Sequence, residues 1–246
     1  MKSIKLSVVI LNALFLFSCG NTGKILSTAN DVYKTLNNGI TQDEAANGLK
    51  EALKNGAGAS TDFLSKADGF FKNSTYKILF PPEAQKLEKT LRDAGLGDMC
   101  DRAIVSINRG AEMAVAEAKP VFVNAITTMT INDAINIVSG GNGAGTAYLK
   151  RTTSNELTTK FSPIIKQSLD RVGATKYWKD AITTYNKIPI VQKINPDLNG
   201  FVTSKSMEAL FSQIELEENK IRQDPLKRTS DLLKKVFSYA DQQKTK

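Results

Sequence analysis

The side chains with the most chemical potential fall in two places. A glycine run, Gly140-Gly-Asn-Gly-Ala-Gly145, precedes Thr146, and Lys150 and Arg151 follow about one turn later. Backbone amides of such a run, at the start of a helix, can cradle an anion. Gly141, Gly143, Gly145 and Thr146 would supply the amides, and Lys150 and Arg151 the charge. The run lacks the Lys-Ser/Thr ending of a P-loop and follows no strand, so a nucleotide site fails on context. A plain interhelical loop is the alternative. The second place is Arg109 and Glu112, three apart on a helix, where they pair with each other or contact a ligand. Glu112 and Glu117 are five apart and do not share a face, so they form no carboxylate dyad. The chain has no histidine. That removes His-based triads, the Glu-x-x-His di-iron pair and His-containing zinc sites. No catalytic residue, metal or cofactor is assigned.

The N-terminus carries a different chemistry. Lys2 and Lys5 precede an apolar run from Leu6 to Phe17, too short for a bilayer span, which needs about 20 apolar residues. Leu16-Phe17-Ser18-Cys19 resembles the bacterial lipobox. The resemblance implies cleavage before Cys19 and acylation of its thiol and new amine, with Phe17 bulkier than usual at its position. Two or more chains anchor stably where one binds marginally. Residues 1–18 are then a removed signal and 19–23 an acylated Cys with a short tether. Gly20 in place of Asp favours the outer membrane, facing the periplasm. Cys100 is left as a lone thiol on an apolar stripe, which excludes a disulfide scaffold and reads as a core residue.

These groups must be positioned by helices. Ile25 to Leu36 carry a helical period. Thr41 to Glu44 form a capping box that opens a helix with Ala45, Gly48, Leu49 and Leu53; Gly56 and Gly58 end or bend it. Phe63, Leu64, Ala67 and Phe70 suggest another short helix. Tyr76, Ile78 and Phe80 alternate with Lys77 and Leu79 before Pro81-Pro82, so residues 71–82 read as an extended connector. The longest apolar period covers residues 96–129, with Pro120 as a kink or break. Thr130 caps a helix to Val138. A second box, Thr153 to Glu156, opens a helix bent at Pro163. Another runs from Ala174 to Pro189 and carries Trp178. Asn195-Pro196 start a long helix to Asp224, and the last helix frays from Asp241. The fold class is all-α, a single multi-helix domain of about eight to ten helices over residues 24–240, with a polar tail at 241–246.

Several longer runs carry a resemblance. They include Asp43-Glu-Ala-Ala-Asn-Gly-Leu-Lys-Glu-Ala-Leu53, Lys77-Ile-Leu-Phe-Pro-Pro-Glu83, Asn108-Arg-Gly-Ala-Glu112, Tyr148-Leu-Lys-Arg-Thr-Thr-Ser154 and Thr229-Ser-Asp-Leu-Leu-Lys-Lys-Val-Phe237. Over most of residues 41–238 the chain resembles the bacterial family catalogued as domain of unknown function 4197. The resemblance implies exported, mostly helical proteins, often lipoproteins, and no assigned activity.

The net charge is +8, or +6 without Lys2 and Lys5. Residues 150–193 hold nine Lys/Arg against three Asp/Glu, while the rest is near balance. On an exported chain such a stretch suits anionic lipid or glycan, and no nucleic acid is expected. A solvated helix face is the alternative. The expected function is a non-catalytic binding or envelope-assembly module, anchored to the bilayer through Cys19. The rival is a carboxylate and Lys/Arg-dependent hydrolase or transferase near the glycine loop. It would need Glu112, Arg109 and Lys150 or Arg151 to converge on that loop.

Overall fold

The computed structural model describes residues 39–190 and 192–244. The signal, Cys19, the tether and the helix expected between Ile25 and Leu36 lie outside them. The domain, residues 42–246, is all-α, and no strand occurs among the described residues. Its helices are α1 (Gln42–Leu64), α2 (Gln85–Asp93), α3 (Gly97–Val115), α4 (Ala118–Thr127), α5 (Ile131–Ser139), α6 (Ala144–Arg171), α7 (Ala174–Tyr185), α8 (Leu198–Gln223) and α9 (Asp231–Lys244). Short 3-10 turns at Pro82–Ala84 and Pro225–Lys227 precede α2 and α9.

The core is built around α6. Leu149, Leu157, Phe161, Ile165 and Leu169 are fully buried along it, at helical spacing. This helix packs on α3 at one side and α8 at the other, while α1 packs on α8, α4, α5 and α9. Gly110 lets α3 approach α6: a Cβ there would lie 3.0 Å from the Ser168 Cβ and 3.4 Å from the Ile165 Cα. Ser106 and Ser168 cross-link the two backbones at this point, each hydroxyl donating to the other's carbonyl at 2.5 and 3.0 Å. Phe122 of α4 meets Phe211 of α8 edge to face at 6.0 Å.

Several local expectations hold, and others shift for identifiable reasons. Thr130 and Asp133 form the expected capping box at α5. The apolar run 96–129 breaks at residues 116–117, which places Pro120 in the first turn of α4, where its missing amide costs little. Gly56 and Gly58 do not end α1. Gly56 instead admits α8: a Cβ there would lie 3.5 Å from the Glu217 Cβ and 3.9 Å from the Glu218 amide nitrogen. The box at Thr153 does not open a helix. α6 already begins at Ala144, and the Thr153 hydroxyl donates back to the Leu149 carbonyl at 2.6 Å. The cap of α8 is Asp197, not Asn195, which accepts from the Asp197 amide in a turn. α9 continues to Lys244, past the expected fraying point, and its Asp241 pairs with buried Arg228 at 2.7 Å. Among the described residues no single helix is long and apolar enough to cross a membrane. α3–α4 with α5 pass such a test only as a pair bent by 103°, and their Ile107, Phe122, Ile126 and Val138 lie in the core.

Candidate functional site

The glycine run forms the turn between the end of α5 and the start of α6. Gly143 takes φ 73°, a left-handed conformation suited to glycine, and α6 begins at the next residue. Its first amides do meet an anion, and the anion is Glu218 of α8. The Gly145 amide donates to Glu218 Oε1 at 2.9 Å, and the Thr146 amide and hydroxyl donate to Oε2 at 2.7 and 2.8 Å. A Cβ on Gly145 would meet Leu53 Cδ2 at 2.5 Å, so the approach needs glycine.

One turn along α8, Arg222 donates from Nε to Glu218 at 2.9 Å, and from Nη2 and Nη1 to the carbonyls of Ile137 and Gly140 at 2.9 and 3.3 Å. A single i,i+4 pair thus sets a carboxylate on the positive end of α6 and a guanidinium on the negative end of α5, each complementing a helix dipole. Both side chains are almost fully buried. Arg228 extends the network by donating to the carbonyls of Ile221 and Arg222. Both guanidiniums lie over the Phe237 ring, 5.7 and 5.8 Å from its centroid.

Arg109 and Glu112 do pair, at 2.6 Å. The buried Glu112 carboxylate also accepts the Phe70 and Phe71 amides, both at 3.1 Å. Arg109 reaches on to Asp68 at 2.6 Å. Asp68 sits at φ 70°, a region that Asp tolerates better than most residues. Hydrogen bonds from Lys72 and then Arg109 hold its carboxyl below the usual carboxylate range. Asn108, on the same helix, brackets Ile78 by accepting its amide and donating to its carbonyl, both at 2.8 Å. α3 therefore pins residues 70–78 down; of the connector expected to be extended over 71–82, residues 71–72 and 74–76 are turns. Within it Tyr76, Ile78 and Phe80 are buried while Lys77 and Leu79 are exposed, as their alternation implies.

These two clusters do not converge. Gly110 touches α6 at Ile165 and Ser168, whereas Lys150 lies about 15 residues earlier, roughly 20 Å along a helix. Lys150 and Arg151 are exposed, and Arg151 stacks on Tyr148, 5.4 Å from its ring centroid. Gly141 is exposed as well. Among the described residues no group of three or more Cys, Asp or Glu is arranged to hold a metal ion.

A third feature has no polar signature. An apolar cavity of about 160 Å³ lies between α2, α3 and α7, lined by Phe80, Leu87, Leu91, Cys100, Trp178 and Ala181 among others. Phe80 and Trp178 stack at 5.3 Å. Cys100 is buried, and desolvation pushes its thiol pKa up.

The sequence matches, over residues 39–238, the model of a family described as a protein of unknown function, DUF4197. The chain belongs to that family. No curated protein and no solved structure matches it. Membership in DUF4197 brings no activity, so function must be argued from the residues. Glu218, Arg222, Arg228 and Asp68 were not foreseen from the sequence. The i,i+4 spacing of Glu218 and Arg222 was visible, but such spacing is common on solvated helix faces.

Proposed function

We propose that the chain is a lipid-anchored, non-catalytic helical module of the bacterial envelope, held by acylated Cys19 and resting a basic face on anionic lipid. The outer membrane, facing the periplasm, is the favoured location, on the strength of Gly20. The observation that carries the reading is the composition of the corner formed by the end of α6, α7 and the segment after it. Arg171, Lys176, Lys179, Lys187 and Lys193 are exposed there, and so are Val172, Tyr177, Ile188 and Ile190. Ile190 is 96% exposed. Cations interleaved with exposed apolar and aromatic groups suit a bilayer interface, where headgroups meet the former and acyl chains the latter. A glycan would match the cations but not the isoleucines.

The non-catalytic part rests on the two polar clusters. A general acid or base needs a carboxylate able to reach a substrate proton. Glu112 and Glu218 are each almost fully buried and are engaged by backbone amides and a guanidinium of their own chain. Each Lys near an anionic surface contributes about 1 kcal/mol, so reversing two charges should weaken binding by at least about tenfold. The double variant Lys176→Glu/Lys179→Glu is therefore expected to lose affinity for phosphatidylglycerol vesicles in sedimentation assays. Unchanged binding of a folded double variant would overturn the lipid-facing reading.

A further inference from the structure

The cavity between α2, α3 and α7 is the feature that the domain's own packing does not explain. Helix α2 forms one of its walls and is amphipathic, with Leu87 and Leu91 on one side and Lys86, Lys89 and Asp93 on others. Yet none of its residues is fully buried. Leu87 and Leu91 face a void where a well-packed protein interior would supply side chains. The helix packs mainly on α3 and on the turn before it, so it covers the cavity as a flap.

The remaining walls are also apolar. Phe80 and Trp178 are already stacked on each other, and Met99, Cys100 and Ala103 come from α3. Among the described lining residues the one charged side chain, Glu88, is taken by Arg92, whose Nε donates to it at 2.9 Å while Nη2 holds Asp101 at 2.8 Å. Trp178 is 8% exposed, and its indole N–H finds no acceptor among the described residues. An apolar cavity of about this size stays dry and takes a benzene-sized guest of about six carbons.

We infer that this cavity is a binding site for one unbranched alkyl chain, entered past Tyr177 and Val172 and filled by about six of its carbons. Tyr177 and Val172 are both cavity lining and exposed surface, and they belong to the corner assigned to the bilayer. The choice of an alkyl chain over another apolar guest rests on that lipid-facing reading, because a bilayer interface presents such chains. The mouth keeps the polar head of the amphiphile in water, beside the cations that flank Tyr177.

Trp178 is the only tryptophan of the chain, so its fluorescence reports this wall alone. The test uses the full chain carrying Cys19→Ala, purified without detergent, titrated with linear alkanols and alkanoates from butyl to decyl and with bromo-octanoate as quencher. Saturable quenching of Trp178 is expected. Affinity should rise about fourfold per added methylene, then flatten after about six to eight carbons as the cavity fills. Ala103→Leu, which fills the void, should weaken octyl binding at least about tenfold with no loss of thermal stability. Leu91→Ala, which enlarges it, should move the plateau to longer chains, and this arm decides the matter if Ala103→Leu fails to fold. Equal affinities for alkanols and alkanoates would assign recognition to the chain; a strong preference for alkanoates would add the cations at the mouth. Absence of saturable quenching, or quenching unchanged in both cavity variants, would overturn the site. Lys176→Glu/Lys179→Glu should lose vesicles yet keep its affinity for octanol, so the cavity and the basic face fail independently.

Discussion

Replacing Glu218 by alanine is expected to lower the stability of the domain by about 3–5 kcal/mol, the usual consequence of removing one partner of a buried ion pair. The cause is specific. The substitution strips the acceptor from the Gly145 and Thr146 amides and leaves the buried Arg222 guanidinium without its counter-charge. For a domain of this size the melting temperature should fall by roughly 10 °C. Acetate should recover part of the loss, because the vacated space adjoins two helix-start amides and a guanidinium, and it should leave the native chain unaffected. Glu218→Gln keeps an acceptor oxygen and should fall between the two. A Glu218→Ala variant melting within 2 °C of the native protein, by calorimetry, would show that the pair does not hold α5, α6 and α8 together.

Glu112→Ala is expected to be the second largest effect, about 2–4 kcal/mol, because it orphans the buried Phe70 and Phe71 amides. Its signature is local. Hydrogen exchange should accelerate over residues 68–80, which Glu112 and Asn108 pin to α3, and much less over α6 and α8. Arg109→Ala should cost less than Glu112→Ala, since its own side chain is 38% exposed and the Glu112 carboxylate keeps the Phe70 and Phe71 amides. A catalytic role for the same residues would instead predict that neither change affects stability much. Equal exchange rates in native and Glu112→Ala protein would remove the staple from the account.

Much of the scaffold was legible because helix periodicity is a local signal. The stripes of α1, α3, α7 and α8 could be read directly, and so could the Thr130 box and the alternation of Tyr76, Ile78 and Phe80. What misled were local signals overridden by packing. Gly56 looked like a terminator, but it is where α8 comes close. Thr153 looked like a cap, but α6 had already started under a carboxylate more than 70 residues away. The glycine run is compatible with an anion cradle or with a plain interhelical loop; that the Gly145 and Thr146 amides donate to Glu218 depends on tertiary structure alone. The Arg109–Glu112 pair was visible in its spacing, while Asp68 and the two amides that complete it were not. The cavity left no trace, because Phe80, Leu91, Cys100 and Trp178 are distant in sequence and look like ordinary core residues.

The proposed placement of the chain in the envelope rests on acylation of Cys19, and the lipid-facing reading of the basic corner and the cavity depends on that proposal. The most direct measurement is the mass of the N-terminal peptide from protein extracted out of membranes, made beside fractionation of a Cys19→Ala variant. The account predicts a peptide that begins at Cys19 and carries diacylglycerol and an N-acyl chain, with the variant unlabelled and displaced from the membrane. A native peptide that begins elsewhere, or that ends the measurement with an unmodified Cys19 thiol, would contradict it.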